Sequence, residues 1–256
     1  MPHDIRIYPT PMLAARALAS EIVLIAEQSI ATRGRFTLVL CGGSTPTILY
    51  KLLAEPEFAD RIDWEFVHVF WGDERCVPPE HADSNYHMAR LALLDHVPIP
   101  LPHIHRMHGE LPPELGAVQY EQMLREYFER REGGATGSRF DVVLLGMGDD
   151  GHTASLFPNS AALAVSNRWV MDVHVEHLKS WRLTLTPVAL NAAARAFFFV
   201  TGESKAAILP KALATSEDAA ELPVHYINPS VVRWYVDEAA EKQLKHQSQA
   251  ETATLI

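Results

Sequence analysis

At 256 residues, with 48% hydrophobic and 21% charged residues, the chain can bury a full core and has the balance of an ordinary globular protein. Its formal net charge of −10 repels nucleic acid and anionic membranes, so an anionic ligand needs a local cationic pocket. Two cysteines, Cys41 and Cys76, exclude a disulfide scaffold and fit a reducing cytoplasm. The start "MPHDIRIYPTP" lacks the marks of a secretory signal, and no apolar run nears the ~20 residues of a membrane span.

Thr10 and Pro11 read as the N-cap and first position of a helix running through "MLAARALASEIVLIAEQSIATR" to Gly34. "FTLVL" (36–40) is taken as the first strand, and after "CGGST" Pro46 opens a second helix. "EFVHVFWG" (65–72) predicts a strand, "DERCVPPEHADSN" (73–85) a long polar loop, and Tyr86 to Asp95 a helix. An amphipathic helix is expected over roughly 113–131, then a flexible turn, "EGGATGS", then a third strong strand, "FDVVLLG" (140–146). "RWVMDV" and "WRLTLT" read as strands, followed by a short helix from Pro187 and a strand at "AFFFVTG" (196–202). A helix "SKAAILPKALA" with Pro210 inside it and a last strand "VVRWYVD" (231–237) complete the series. Residues 246–256 are expected to be a disordered tail. Strands that are apolar throughout, alternating with helices, predict one α/β domain over residues 1–245. Its mostly parallel sheet is covered by helices on both faces.

Ligands of such sheets bind beyond the carboxyl ends of the strands, and the polar oddities of this chain fall there. "CGGSTP" follows the first strand, "GDER" the second, "GMGDDGH" the third and "TGESK" a later one. Gly42 and Gly43 allow close backbone approach, Ser44 and Thr45 carry hydroxyls, and the following helix start favours an anion; an ordinary capped turn would look the same. Gly146, Gly148 and Gly151 spell G-x-G-x-x-G, but Asp149 and Asp150 stand where a pyrophosphate would lie and Pro158 cuts the next segment short. A tight turn fits better than a dinucleotide site. His152 beside Asp150 is either a general base with its tautomer fixed by a carboxylate or a structural histidine. Arg75, Arg182 and Lys205 make sense as partners of an anion. His103, His105 and His108 lack a carboxylate companion, so a partly buried loop is the better reading than a metal site. Asp73 and Glu74 argue against a reactive thiol at Cys76.

Taken together, "LCGGSTPTILYKLL" (40–53), "FWGDERCVPPEHADSNYHMAR" (70–90), "LLGMGDDGHTASLFP" (144–158) and "RLTLTPVALNAAARAFFFVTGESKAAIL" (182–209) resemble the 6-phosphogluconolactonase family, with "LPVHYINPSVVRWYVDEAA" (222–240) a weaker match. The resemblance implies a modified Rossmann-like sheet and hydrolysis of 6-phospho-D-glucono-1,5-lactone in the oxidative pentose phosphate pathway, with no metal or cofactor. It implies Asp150 and His152 as the catalytic pair. Gly42, Gly43, Ser44, Thr45, Asp73, Arg75, Arg182 and Lys205 would hold the sugar phosphate. A cytoplasmic monomer or small homo-oligomer without nucleic-acid or membrane partners is expected. The related glucosamine-6-phosphate deaminases carry a glutamate five residues after the motif histidine, where this chain has Phe157. A sugar-phosphate-sensing regulator would carry an added DNA-binding domain, for which a first strand near residue 36 leaves no room.

Overall fold

The computed structural model describes residues 4–132, 140–214 and 222–244. The expected tail and all but the first residue of the "EGGATGS" turn lie outside the described residues.

The chain begins with β1 (Asp4–Tyr8) and α1 (Pro11–Arg33). Thr10 caps α1 by accepting from the Leu13 N–H at 3.2 Å, and Gly34 ends it in the left-handed conformation, φ 68°. Next come β2 (Phe36–Leu40), α2 (Ser44–Leu53), α3 (Pro56–Ala59), β3 (Val67–Trp71), β4 (Asp73–Arg75), α4 (Asn85–Ala92) and α5 (Pro113–Glu132). The second half runs through β5 (Val142–Leu145), β6 (Val170–Val175), β7 (Ser180–Leu185), α6 (Pro187–Asn191), β8 (Arg195–Val200), α7 (Leu209–Ala212) and β9 (Val231–Asp237).

Six strands form one parallel sheet in the order β1-β9-β8-β5-β2-β3. Every residue of β2, β3 and β5 is buried, as expected of strands covered on both faces. The connection after β2 leads to β3 on one side, and the chain after β5 leads to β8 on the other. The neighbouring carboxyl ends of β2 and β5 therefore flank the crevice where ligands of such sheets bind. Among the described residues no helix is long and apolar enough to cross a membrane.

Four expectations are corrected. The first strand is β1, thirty-odd residues before the expected one; it pairs only with β9 at the sheet edge, and its residues are exposed or half-buried, none fully buried. The second sheet, order β4-β7-β6, is antiparallel, so "RWVMDV" and "WRLTLT" are a hairpin beside the main sheet and not members of it. Its third strand, β4, lies in the segment expected to be loop. The helix expected at 204–214 is broken: a 3-10 turn covers Glu203–Lys205 and α7 starts later, with Pro210 in its first turn.

Candidate active site

The carboxyl ends of β2, β5 and β8, together with β4 and β7, surround a cleft of about 550 Å³. Ten residues were expected at the site. Nine of them, all but Asp150, line this cleft: Gly42, Gly43, Ser44, Thr45, Asp73, Arg75, His152, Arg182 and Lys205. Asp150 stands behind His152 as its hydrogen-bond partner.

The wall after β2 is held from below. The Tyr50 hydroxyl accepts from the Cys41 N–H at 2.9 Å and donates to the Cys41 carbonyl at 2.8 Å. Burial pushes the Cys41 thiol up to about 12, so it stays a neutral spacer. Gly42 has no alternative: a Cβ there would fall 1.9 Å from Asn85 Oδ1. Gly43 takes φ 105° and delivers the chain into α2, whose first N–H groups have no side-chain cap.

The β4 wall is rigid because buried carboxylates tie it down. Asp73 accepts from Asn85 Nδ2 at 3.1 Å and from Ser155 Oγ at 2.7 Å. Both its oxygens are thus engaged by the protein, and Asp73 braces the β5 loop against β4 while lining the cleft. Glu74 accepts from the backbone of Arg75, Asn85 and Tyr86 and from Ser84 Oγ, all within 3.0 Å, and so anchors the start of α4. Burial pushes the Glu74 carboxyl up, against these four donors. Sequence reading did not find the bracing roles of Glu74, Asn85 and Ser155, because the contacts that tie these walls together span from 10 to 82 residues of the chain.

Arg75 and Arg182 are direct partners in the β4–β7 register, which brings two cations side by side. Arg75 Nη1 donates to the Asp83 carbonyl at 2.7 Å. The Nε atoms of both arginines are buried, with no hydrogen-bond partner among the described residues. Burial first, then the Arg75 charge, pulls the Arg182 guanidinium below its ordinary value, with Asp73 and Asp83 opposing. An anion received there would relieve the repulsion and satisfy the donors. The nearby Cys76 thiol is driven up to about 11 by burial despite Arg182, which leaves it unreactive.

The loop after β5 shapes the catalytic candidate. The Gly148 N–H donates to the His152 carbonyl at 2.8 Å and the Gly151 N–H to the Gly148 carbonyl at 3.1 Å. Gly151 takes φ 77°. This tight turn, with no helix after it, folds His152 back over Gly148, where a Cβ would lie 2.1 Å from the imidazole Nδ1. The Phe157 ring packs 4.3 Å from the imidazole centroid. Asp150 Oδ1 accepts from the His152 backbone N–H at 3.0 Å and from Nδ1 at 2.6 Å. Partial burial works to raise the Asp150 carboxyl, but these contacts outweigh it and hold it below the ordinary carboxylate range. With Nδ1–H committed to Asp150, Nε2 carries the lone pair.

After β8, Gly202 takes φ 95° and its N–H donates to Asp237 Oδ1 at 2.9 Å. Lys205 closes the 3-10 turn and its Nζ donates to Asp149 Oδ1 at 2.6 Å. The β6–β7 turn adds His177 and Leu178 to the cleft, residues without any local sequence signal. His103 and His105 lie elsewhere, packed on His68, and His108 pairs with Glu110. Among the described residues no group of three or more His, Cys, Asp or Glu side chains is placed to hold a metal.

The family described as glucosamine-6-phosphate isomerases/6-phosphogluconolactonase matches residues 9–236. A 6-phosphogluconolactonase of Nostoc sp. is 42% identical over 91% of this chain and 94% of its own, and one of Haemophilus influenzae is 36% identical over 93% and 98%. The 6-phosphogluconolactonase structure from Trypanosoma cruzi superposes with a TM-score of 0.80 at 29% identity, covering 95% of this chain and 98% of that one. A monomeric glucosamine-6-phosphate deaminase superposes with a TM-score of 0.77 at 17% identity, over 94% and 99% of the two chains, and so shares the fold. The chain belongs to the glucosamine-6-phosphate isomerase/6-phosphogluconolactonase family.

Proposed function

We propose that this protein is a 6-phosphogluconolactonase, hydrolysing 6-phospho-D-glucono-1,5-lactone to 6-phospho-D-gluconate. The observation that carries the reading is one cleft that joins a carboxylate-held imidazole, His152–Asp150, to three cations, Arg75, Arg182 and Lys205. The cations suit a sugar phosphate, and the imidazole suits the activation of water. The lactone carbonyl is already electrophilic, so the protein's task is to hold it and to supply a base. His152 Nε2 takes a proton from water as the water oxygen bonds to C1. When the tetrahedral intermediate collapses, the bond from C1 to the ring oxygen breaks and that oxygen receives the proton back from His152. Asp150 fixes the tautomer and balances the imidazolium in between. Ser44, Thr45 and the free N–H groups that open α2 contribute neutral donors for phosphate or sugar. No step needs a metal or cofactor, and the place of the reaction is the oxidative pentose phosphate pathway. The free thiols of Cys41 and Cys76 suit the cytoplasm.

The alternative within the family is amino-sugar deamination. Phe157 speaks against it, since it fills the position where the deaminases carry a glutamate and places an apolar ring on His152. A non-catalytic sugar-phosphate binder is a further alternative. The deciding experiment is a coupled assay on freshly generated 6-phosphogluconolactone with spontaneous hydrolysis subtracted. Hydrolysis above that background is expected. Its absence, or release of ammonia from glucosamine 6-phosphate instead, would overturn the reading.

A further inference from the structure

Lys205, which lines the cleft, and Asp149, in the loop after β5, form an ion pair, 2.6 Å from Nζ to Oδ1. The pair links two loops that follow different strands, β5 and β8. Its members differ in freedom: the Lys205 side chain is 20% exposed and that of Asp149 is 72% exposed. The ammonium is held in the wall and the carboxylate reaches in from solvent. Asp149 is also separate from the catalytic hydrogen bonds, since both contacts to His152 come from Asp150.

We propose, building on the reading of the cleft as a phosphosugar site, that Asp149 is a positioning residue whose carboxylate holds Lys205 in place and is exchanged for the phosphate of the incoming ligand. A phosphate dianion brings more charge and three acceptor oxygens, and it meets Arg75 and Arg182 in the same cleft, so it displaces a lone carboxylate. The carboxylate turns outward to water at little cost because it is already mostly exposed. Each ligand that enters breaks the pair and each that leaves restores it. Asp149 therefore lowers the affinity for substrate and product alike and keeps the phosphorylated product from lingering. An ion pair with one largely exposed member is weak, so the effect is small: removing the carboxylate should tighten phosphosugar binding about two- to fivefold.

The test is calorimetric titration of 6-phosphogluconate into the wild-type protein, Asp149→Asn, Lys205→Ala and the double variant. Asp149→Asn is expected to bind two- to fivefold tighter, by roughly the effect of one weak ion pair. It should lower KM for the lactone by a similar factor without raising kcat. In the Lys205→Ala background the same change should do nothing, because the group it competes for is gone. Asp149→Ser repeats the measurement without an amide that could still hydrogen-bond to Lys205. Unchanged or weaker binding in both Asp149 variants would overturn the proposal. So would equal tightening with and without Lys205, which would mean that the lost charge acts through the general field. Binding that depends on Lys205 but ignores Asp149 would sink this proposal alone. Binding indifferent to Lys205 would remove the phosphate reading of the cleft together with it.

Discussion

Two groups of histidines lie toward opposite ends of the main sheet. His152 follows the carboxyl end of β5, next to Asp150 and at the edge of a cleft. His68, near the amino end of β3, is buried; its ring lies tilted, 3.8 Å from the His103 ring centroid to centroid, and its Nδ1 lies 3.2 Å from His105 Nε2. Phe70 and Tyr127 pack around His105. The second group has more imidazoles, yet less chemistry. In a hydrogen bond between two imidazoles either ring can be the donor, so the contact by itself fixes neither tautomer. An imidazole facing a carboxylate has its tautomer fixed and its cation stabilised in advance. The partner and the access make a histidine a base, and the number of histidines does not.

The sharpest way to break this comparison is to remove His152. His152→Ala or His152→Asn should lower kcat by about 10²–10⁴, the usual contribution of a general base. The loop carries little of the core, so urea unfolding should be nearly unchanged. The Asp150 carboxyl is held below the ordinary range, so it stays ionised behind the imidazole until the pH falls through that lowered value, and kcat should lose that support only there. A His152 variant with near-wild-type kcat would put the base elsewhere.

A smaller blow spares every polar group. Gly148→Ala would place a methyl 2.1 Å from His152 Nδ1, so the imidazole must move off its seat. Misplacement on the ångström scale costs on the order of 10²-fold in catalysis. The expected result is that loss in kcat, with binding of 6-phosphogluconate largely kept. Retained kcat would show that the imidazole has room to work from a second position.

The buried parts of this architecture were legible in the sequence, and the parts made by tertiary contact were not. "FTLVL" and "VVLL" announce β2 and β5 because strands covered on both faces must be apolar throughout. The glycines of the β5 loop pointed to a turn, and the turn explains how His152 is presented. β1 was missed because "DIRIY" is an edge strand with charged residues at positions 4 and 6. β4 was missed because Asp73 and Glu74 are poor strand formers; their conformation is imposed by pairing with β7 and by donors from α4 and the β5 loop. That missed strand also brings Arg75 beside Arg182. Both were named as anion partners from their types, but nothing local says that they are neighbours. The partnership of Lys205 with Asp149 was hidden in the same way.

The phosphate clamp tests the cationic half of the comparison. Each charge-assisted hydrogen bond to phosphate is worth roughly 1.5–3 kcal/mol. Lys205→Ala should therefore cost on the order of 10- to 150-fold in kcat/KM for the phosphorylated lactone. Unphosphorylated gluconolactone, where its slow turnover is measurable, should be nearly indifferent. Arg75→Ala should behave alike, and the double variant should lose less than the product of the two, because both act on one group. An equal loss on both lactones would assign Lys205 to structure or chemistry and not to phosphate.

The smallest effect on catalysis is expected at the other histidine group. His105→Ala removes a ring stacked 4.5 Å from Phe70 and takes away one hydrogen-bond partner of His68 Nδ1. The cost should appear in folding, at about 1–3 kcal/mol, the range for removing one partner of a buried hydrogen bond. Urea titration would read this as a lower midpoint with an unchanged slope. Turnover should stay within about twofold, because the group lies toward the opposite end of the sheet from the cleft and binds no reacting atom. A metal held there by the native state would raise the melting temperature in proportion to the logarithm of its concentration. Exhaustive chelation should accordingly leave both the melting temperature and the rate of the wild-type protein where they were. A melting temperature that drops on chelation and recovers with one divalent ion would give this group a ligand. A rate that follows the same course would give it a part in catalysis and end the contrast between the two groups.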